Sequence, residues 1–283
     1  MAFRAHLSTA LITGTLMVAS NTALAANDAP LWTLTGFEQP ESVVGDQTYL
    51  YVSNINGTPM EKNGQGYISK ITADGKWVEQ HWATGLDAPK GMAIHDGFLY
   101  VADLTRLHKI DLNSGKTQQV WEVSDAKMLN DVTAAPDGMV YVSDLIGGGV
   151  YRLKDDTLAL WKTYPELEHP NGVLWEDNTL IVGNWGQGMN EDFSTTTPGV
   201  LYQINLSDES LSPLLDGKPL GNIDGITRIG DTLWISDWLA GDLMKADGSA
   251  KRHLGQGLAD IHAIDQTLYT PMMMDGTVSA WQP

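Results

Sequence analysis

The sequence predicts an all-β protein made of one unit that is repeated several times. Apolar triplets such as Leu50-Tyr51-Val52 and Val140-Tyr141-Val142 recur along the 283 residues, each a few residues after a short polar motif. Turn sequences such as Asp74-Gly75 separate these segments. The composition holds 29 glycines and only 18% charged residues, which favours short strands joined by tight turns over helical bundles.

The repeat has a period of about forty residues. Its units start at six places: Glu41, Lys90, Asn130, Asn171, Asp224 and about Ala259. Four strands are expected in each unit, and those of the second are Gly91–Ile94, Phe98–Ala102, Arg106–Asp111 and Thr117–Glu122. Four strands per unit of this length are the signature of propeller blades. The sequence therefore predicts a six-bladed β-propeller with four-stranded antiparallel blades.

The two ends of the chain are expected to meet in one blade. The sixth unit lacks a clear fourth strand, whereas the alternating segment Leu31–Thr35 has no hairpin partner next to it in sequence. Pairing this N-terminal strand with the last unit would close the ring and remove an open sheet edge.

The first residues have the pattern of a signal peptide. Arg4 precedes an uncharged apolar segment, Leu7–Ala19, and Ala23-Leu24-Ala25 offers a small-residue cleavage site. We therefore expect a signal peptide over residues 1–25, one propeller domain over 26–283, and a periplasmic or secreted protein. An uncleaved membrane anchor is the alternative, although the apolar segment is short for a span.

The net charge and the lack of cysteine limit the classes of partner and metal site that this protein can have. The formal net charge is −18 and the chain has no cysteine. An acidic surface repels nucleic acid and anionic lipid, so we expect neither nucleic acid nor membrane as a partner. Thiolate metal sites and disulfides are excluded. The sequence does not predict an oligomeric state.

Polar residues at the unit starts predict a site on the propeller axis. In a meander, the innermost strand starts at the face to which the second strand returns, so these residues should converge there. They are Glu41, Lys90, Asn130, Asn171 and Asp224, and we call them the axial residues. Two carboxylates and two amide oxygens suit a hard cation, best matched by calcium. The alternative is that they line a water-filled channel.

These residues resemble the senescence-marker-protein/gluconolactonase family, which is related to the paraoxonases and diisopropyl fluorophosphatase. The resemblance rests on Glu41, Asn130-Asp131, Pro170-Asn171-Gly172 and Asp224-Gly225 in this order. It implies one axial divalent cation, usually calcium, for which zinc, manganese or magnesium can substitute. Glu41, Asn171 and Asp224 would be direct ligands, and Asn130 a ligand or a substrate contact.

Several positions depart from that family's pattern. Met128 stands where gluconolactonase-like members carry an arginine for the sugar acid, which argues against a sugar lactone. Lys90 stands where paraoxonases place a catalytic histidine, and it could orient an anionic substrate, act as a base or weaken metal binding. His262 falls near the fluorophosphatase's second calcium, but Thr227 replaces the accompanying carboxylate. We therefore expect His262 to be a hydrogen-bonded channel residue.

The remaining motifs concern structure or the walls of the site. We expect His169 to be structural, His95 to face away from the site and Asp111–Gly115 to form a hairpin turn rather than a calcium loop. Two long segments, Asn54–Gly64 and Trp185–Pro198, should form its rim. The rest of the wall would come from Trp185, Trp238 and Met272-Met273-Met274, although the tryptophans could instead pack between blades.

Together these observations predict a divalent-metal-dependent hydrolase of a small ester. The resemblance implies that this ester is a lactone. The cation would polarise the carbonyl, and a water or Asp224 itself would attack it. Asp131 or Glu41 would position the water or take its proton, with Asn130 and Lys90 as further catalytic residues. The alternative is a non-catalytic propeller that binds a ligand or protein around a structural calcium. A strictosidine-synthase-like propeller, a third class, lacks this ligand set.

Overall fold

The structure, a computed structural model, describes residues 29–283. The predicted signal peptide lies outside the described residues. Six antiparallel four-stranded sheets follow one another around a ring, as the sequence predicts. Within residues 29–283 the helical content is one 3₁₀ turn, Leu215–Gly217. No helix in this part of the chain is long and apolar enough to cross a membrane.

Each blade runs from an innermost to an outermost strand. Blade 1 contains β2 (Pro40–Gly45), β3 (Tyr49–Asn54), β4 (Gly66–Thr72) and β5 (Trp77–Leu86). Blade 2 contains β6 (Pro89–His95), β7 (Phe98–Asp103), β8 (Arg106–Asp111) and β9 (Thr117–Glu122). Blade 3 contains β10 (Leu129–Ala134), β11 (Val140–Asp144), β12 (Gly149–Lys154) and β13 (Thr157–Thr163).

The second half of the ring repeats the arrangement. Blade 4 contains β14 (Pro170–Glu176), β15 (Thr179–Asn184), β18 (Leu201–Asn205) and β19 (Leu211–Pro213). The predicted rim segment in this blade also forms a separate hairpin of β16 (Gly186–Met189) and β17 (Thr195–Pro198). Blade 5 contains β20 (Ile223–Ile229), β21 (Thr232–Asp237), β22 (Asp242–Lys245) and β23 (Lys251–His253).

Blade 6 joins the two ends of the described chain. It contains β24 (His262–Ile264), β25 (Thr267–Met272), β26 (Thr277–Trp281) and, as its outermost strand, β1 (Trp32–Thr35). β1 pairs antiparallel with β26, with Trp32 opposite Ala280. The prediction that the N-terminal strand closes the ring is therefore confirmed.

The hydrophobic core lies between neighbouring blades. Val44, Tyr51 and Ile68 of blade 1, for example, pack in one cluster with Met92 and Leu99 of blade 2. Each such cluster consists of side chains from the facing sides of two sheets, because residues of a strand alternate between its two faces. The blades are therefore held by apolar packing, and the polar axial positions are left for other uses.

Candidate functional site

A bulge at the start of the inner strands directs the axial side chains. In β2, Pro40 pairs with Asn54 and Val43 with Val52, so that Glu41 and Ser42 both stand opposite one residue. The inner strands of blades 2 to 5 show the same irregularity after their first residue. A bulge bends the strand and re-aims a side chain at the point where regular pairing is interrupted.

Buried serines stabilise this bulge in alternate blades. The Ser53, Ser143 and Ser236 hydroxyls accept hydrogen bonds from the backbone N–H groups of Ser42, Asp131 and Gly225, at 2.9, 2.9 and 2.7 Å. These three serines have no measurable exposure. Each N–H would otherwise be buried without a ladder partner, which is costly. In blades 1, 3 and 5 the serine thus satisfies a buried backbone donor of the bulge.

In blades 1 to 5 the second strand ends in an Asp or Asn, and in several of them this residue holds the loop leading into the inner strand. The Asp144 carboxylate accepts hydrogen bonds from the backbone N–H groups of Lys127, Met128 and Gly147. Asn184 Oδ1 accepts one from the His169 N–H at 3.0 Å. The side-chain oxygens of these residues are thus engaged by loop backbone. Their role is to position the site.

Asp103 is the most heavily bonded of these residues. It accepts hydrogen bonds from the backbone N–H groups of Asp87 and Ala88 and lies 2.7 Å from the Arg106 guanidinium and 3.1 Å from His108 Nε2. Burial raises the pKa of Asp103, but the hydrogen bonds from His108 and the two backbone groups outweigh burial and lower this pKa to about 2.

Asp103→Asn should therefore destabilise the protein at neutral pH by about 2 kcal/mol, because a pKa lowered on folding contributes stability in proportion to its shift. This contribution is present above the unfolded-state pKa near 4 and is lost as the pH falls towards 2. Urea unfolding of both proteins between pH 7 and pH 3 measures the difference. Glu79→Gln, on the exposed outer strand β5, is the control. A pH-independent difference would contradict the assignment.

The five axial residues lie together in one cavity of about 100 Å³ at the centre of the ring. All five side chains are at least 95% buried, and Lys90 is 1% exposed. The apolar remainder of the lining comes from the loops on the same face, including Met128, Trp185 and Trp238. The meander topology thus brings together the residues that sequence spacing singles out. Blade 6 contributes no polar axial residue, since Ala259 occupies the corresponding position.

The two axial carboxyls are held in an unfavourable setting for negative charge. Burial, reinforced by the charge of Asp224, raises the pKa of Glu41 well above its ordinary value, and the charge of Lys90 opposes this shift. Burial likewise raises the pKa of Asp224, against a hydrogen bond from Asn171 and the charge of Lys90. A bound cation would stabilise the ionised form of these carboxyls, because it compensates negative charge that burial has removed from water.

Two axial oxygens lack any hydrogen-bond partner within the described residues. They are Glu41 Oε2 and Asn171 Oδ1, both buried. Asn171 Nδ2 donates to Asp224 Oδ1 at 2.5 Å, which assigns the amide nitrogen to the carboxylate and leaves the amide oxygen as a free acceptor. Buried oxygens are normally satisfied, so these two require an explanation, and a hard oxygen-seeking cation provides one.

The donor set contains two carboxylates, and not three or more. Residues 29–283 contain no group of three or more His, Cys, Asp or Glu side chains that could hold a metal ion. The axial set instead combines Glu41 and Asp224 with the amides of Asn130 and Asn171. Carboxylate and amide oxygens together suit calcium, and the absence of histidine and cysteine donors makes the set less suited to zinc.

Lys90 is held by backbone on the rim side of the cavity. Its Nζ donates to Pro59 O at 2.9 Å and to Ala88 O at 3.2 Å. Burial lowers the pKa of Lys90, whereas the charges of Glu41, Asp103 and Asp224 act in the opposite direction. An ammonium has three N–H donors, so one remains for a ligand in the cavity.

Asp131 lies below the axial residues and does not line their cavity. Its two carboxylate oxygens accept hydrogen bonds from the backbone N–H groups of Val132, at 2.7 Å, and of Val173 in the next blade, at 2.6 Å. Gly91 makes room for it, since a Cβ there would lie 2.4 Å from Asp131 Oδ1. The contacts observed for Asp131 are those of a link between blades 3 and 4. Its predicted catalytic role stays a prediction.

A second cavity opens at the other end of the axis. It has a volume of about 470 Å³, and Asp131, Thr227, Asp260 and His262 are among its lining residues. Asp260 accepts a hydrogen bond from the Ser42 hydroxyl at 2.6 Å and so joins blade 6 to blade 1. Burial lowers the pKa of His262 to about 4, so this imidazole is neutral at pH 7. His262 thus lies in the channel, away from the axial residues.

The other singled-out motifs occupy structural positions. His169 Nδ1 lies 3.0 Å from Leu145 O beside the loop of blade 4. Asp111 Oδ1 accepts hydrogen bonds from the N–H and hydroxyl of Ser114, which confirms the hairpin turn between β8 and β9. His95 ends β6, at the end opposite the axial residue of that strand.

The tryptophans form one wall of the cavity. The rings of Trp185 and Trp238 lie 6.3 Å apart at 47°, and Trp185 Nε1 donates to Phe193 O at 2.8 Å. The predicted rim segment Trp185–Pro198 does contribute to the cavity, through Asp192 and Phe193 of the β16–β17 hairpin, which the sequence does not single out. Their segment lacks the apolar alternation that marks a strand, so nothing in the sequence indicates where its tip folds.

The fold and site define a six-bladed β-propeller with a polar centre and apolar walls. The sequence matches no protein-family model and no curated protein. Among solved structures, the chain is similar to selenomethionine-substituted virginiamycin B lyase from Staphylococcus aureus, with 15% identity and a TM-score of 0.59 over 88% of this chain and 98% of that one. It is also similar to Kuenenia stuttgartiensis hydrazine synthase, with 12% identity and a TM-score of 0.60 over 88% and 97%.

A virginiamycin B lyase structure with quinupristin, of a catalytically inactive variant, has a TM-score of 0.57 and 15% identity over 88% of this chain and 98% of its own. At these identities the similarity shows the propeller fold alone. The chemistry of this chain must therefore be argued from its own residues.

Proposed function

We propose that this propeller is a divalent-metal-dependent hydrolase of a small ester, specifically a lactone, of the gluconolactonase-like type, and that it works outside the cytoplasm. The observation that carries the proposal is the pair of buried, unpartnered oxygens, Glu41 Oε2 and Asn171 Oδ1, beside Asp224. Glu41, Asn171 and Asp224 would hold the cation, most suitably calcium, and Asn130 would be a fourth ligand or a substrate contact.

When bound, the cation supplies Lewis-acid polarisation of the ester carbonyl and stabilises the charge that develops on its oxygen. Glu41 positions the attacking water or takes its proton. The remaining N–H of Lys90 donates to the substrate oxygen on which negative charge develops. Met128, Trp185 and Trp238 exclude other water from the reacting atoms.

An activity screen tests this proposal. Protein loaded with calcium or manganese should hydrolyse at least one member of a panel of lactones, aryl esters and phosphotriesters. Asp224→Ala should reduce the rate by about a hundredfold or more, because it removes an interaction on which charge stabilisation depends. Glu79→Ala on β5 should leave the rate unchanged.

The screen also separates this proposal from the alternative function. Calcium binding without hydrolysis of any panel member would contradict the hydrolase and favour a non-catalytic propeller with a structural ion. Hydrolysis that is unaffected by Asp224→Ala or by chelation would place the activity elsewhere.

A further inference from the structure

The face that carries the axial residues has two apolar clusters of its own. One, the blade 3–5 cluster, is built on buried Met128, Leu145 and Trp185, with Phe193 and Trp238 packed against it. The other, the blade 1–2 cluster, is built on buried Ile55, Ala88 and Leu104, with Met273 packed against it. Their members lie before inner strands, after second strands or in the β16–β17 hairpin. These clusters are separate from the packing that joins the blades.

The cavity lies between the two clusters. Its lining outside the axial residues comes from the blade 3–5 cluster on one side and from Ile55 and Met273 on the other, completed by Pro59 and Asp192. The polar head of a ligand would therefore meet the axial residues, while the rest of it would meet aromatic and sulfur-containing side chains. Methionine adapts its shape to apolar ligands, and indole faces provide large apolar contacts.

Three polar groups in these walls already have hydrogen-bond partners. Trp185 Nε1 donates to Phe193 O, and Pro59 O accepts from Lys90. Asp192 Oδ1 accepts from the N–H and hydroxyl of Ser194. The hydroxyl groups of a sugar would find few free partners among these mainly apolar walls. Each buried, unpaired hydroxyl weakens binding by about tenfold.

We propose that the site accepts esters or lactones that carry an apolar alkyl or aryl substituent and discriminates against polyhydroxylated ones. The ester group lies at the axial residues, and the substituent lies between the tryptophans and Met273. This inference rests on the proposed function for the identity of the head group, whereas the walls alone support the apolar substituent.

Calorimetry with non-hydrolysable analogues tests the inference independently of catalysis. The probes are γ-lactams bearing linear alkyl substituents from methyl to hexyl, together with a polyhydroxylated lactam, each titrated with and without calcium. The Kd should fall about fourfold for each of the first few added methylenes, as transfer of apolar surface from water predicts. The heat-capacity change of binding should become more negative along the series.

Variants assign the effect to the walls. Met128→Gln preserves the size of the side chain and should reduce the gain per methylene, and Met273→Gln makes the same test on the opposite wall if the first variant fails to fold. Trp77→Ala, on the outer strand β5 and 37% exposed, is a control that should not change the series. A Kd that does not depend on chain length, or tighter binding of the polyhydroxylated lactam, would overturn the inference.

The hydrolysis screen and the lactam series can fail separately. A chain-length dependence in a protein that cleaves no ester would remove the hydrolase and leave the ligand class in place. Cleavage of a sugar lactone, together with lactam affinities that do not depend on chain length, would support the hydrolase and overturn the apolar ligand class.

Discussion

Glu41→Gln should make the protein more stable than wild type without calcium and less stable than wild type with it. In the metal-free protein, Glu41 is a buried carboxyl next to Asp224, and burial raises its pKa well above the ordinary value. A neutral amide of the same shape removes this penalty, and we expect a gain of about 1 to 2 kcal/mol at pH 7. With calcium, the wild-type protein is stabilised by metal binding, whereas the variant binds the metal more weakly.

Calcium at a hundred times its Kd should stabilise the wild-type protein by about 2.7 kcal/mol through mass action. The variant, which lacks a charged ligand, should gain little at the same concentration. Urea unfolding in calcium and in chelator measures both differences, with Glu79→Gln as the control for loss of an acidic side chain. An unchanged order of stabilities in the two conditions would refute the assignment of Glu41 as a ligand.

The pH dependence gives the same prediction an independent check. A carboxyl whose pKa is raised by folding binds its proton more tightly in the native state. Its contribution to stability is therefore present below the unfolded-state pKa near 4 and is lost as the pH rises through the folded-state value. Metal-free wild type should lose more stability between pH 4 and pH 8 than Glu41→Gln. An identical loss in the two proteins would count against the buried setting of Glu41.

Trp32→Ala should weaken the closure of the ring. Trp32 lies on β1, packs against Tyr269 at a ring distance of 5.9 Å and donates from Nε1 to Ala73 O in blade 1. It thus joins β1 to both blades that meet at the closure. Truncating a large, half-buried aromatic side chain should cost about 2 to 4 kcal/mol of unfolding free energy.

Leu31→Ala is a matched control for this variant. It changes the neighbouring residue, whose side chain is 54% exposed. Both variants are compared with wild type by thermal and urea unfolding. A loss for Trp32→Ala no larger than that for Leu31→Ala would show that the Trp32 side chain does not contribute to closure.

The ring and much of its blade structure could be predicted from sequence because they depend on local signals. Alternating apolar residues and Gly-containing turns determine strands such as Arg106–Asp111, whose predicted bounds agree with β8. The inner strands of blades 1 to 5 start one or two residues earlier than predicted, since the residue before each axial position already pairs with the end of the second strand. The strands of the β16–β17 hairpin could not be predicted, because Gly186–Met189 shows no strand-like alternation.

The axial residues could be located because topology fixes which end of a meander strand lies at which face. The contacts that hold the axial residues in place could not be predicted, since these contacts join distant parts of the chain. Ser42 and Asp260 are 218 residues apart and meet only after the ring closes. Likewise, Asp131 is held by a hydrogen bond that its carboxylate accepts from the Val173 N–H of the next blade. Sequence spacing cannot reveal such cross-blade bonds.

The inner-strand bulge separates the requirements of packing from those of chemistry. In the bulged strands the core contacts are made by residues such as Val43 and Met92, which follow the bulge, while the preceding axial position makes no demand on the packing between sheets. Four residue types occupy this position in five blades of one protein. The fold can therefore exchange its axial side chains one at a time, so that a propeller of this kind can acquire or lose a metal ligand without rebuilding its core.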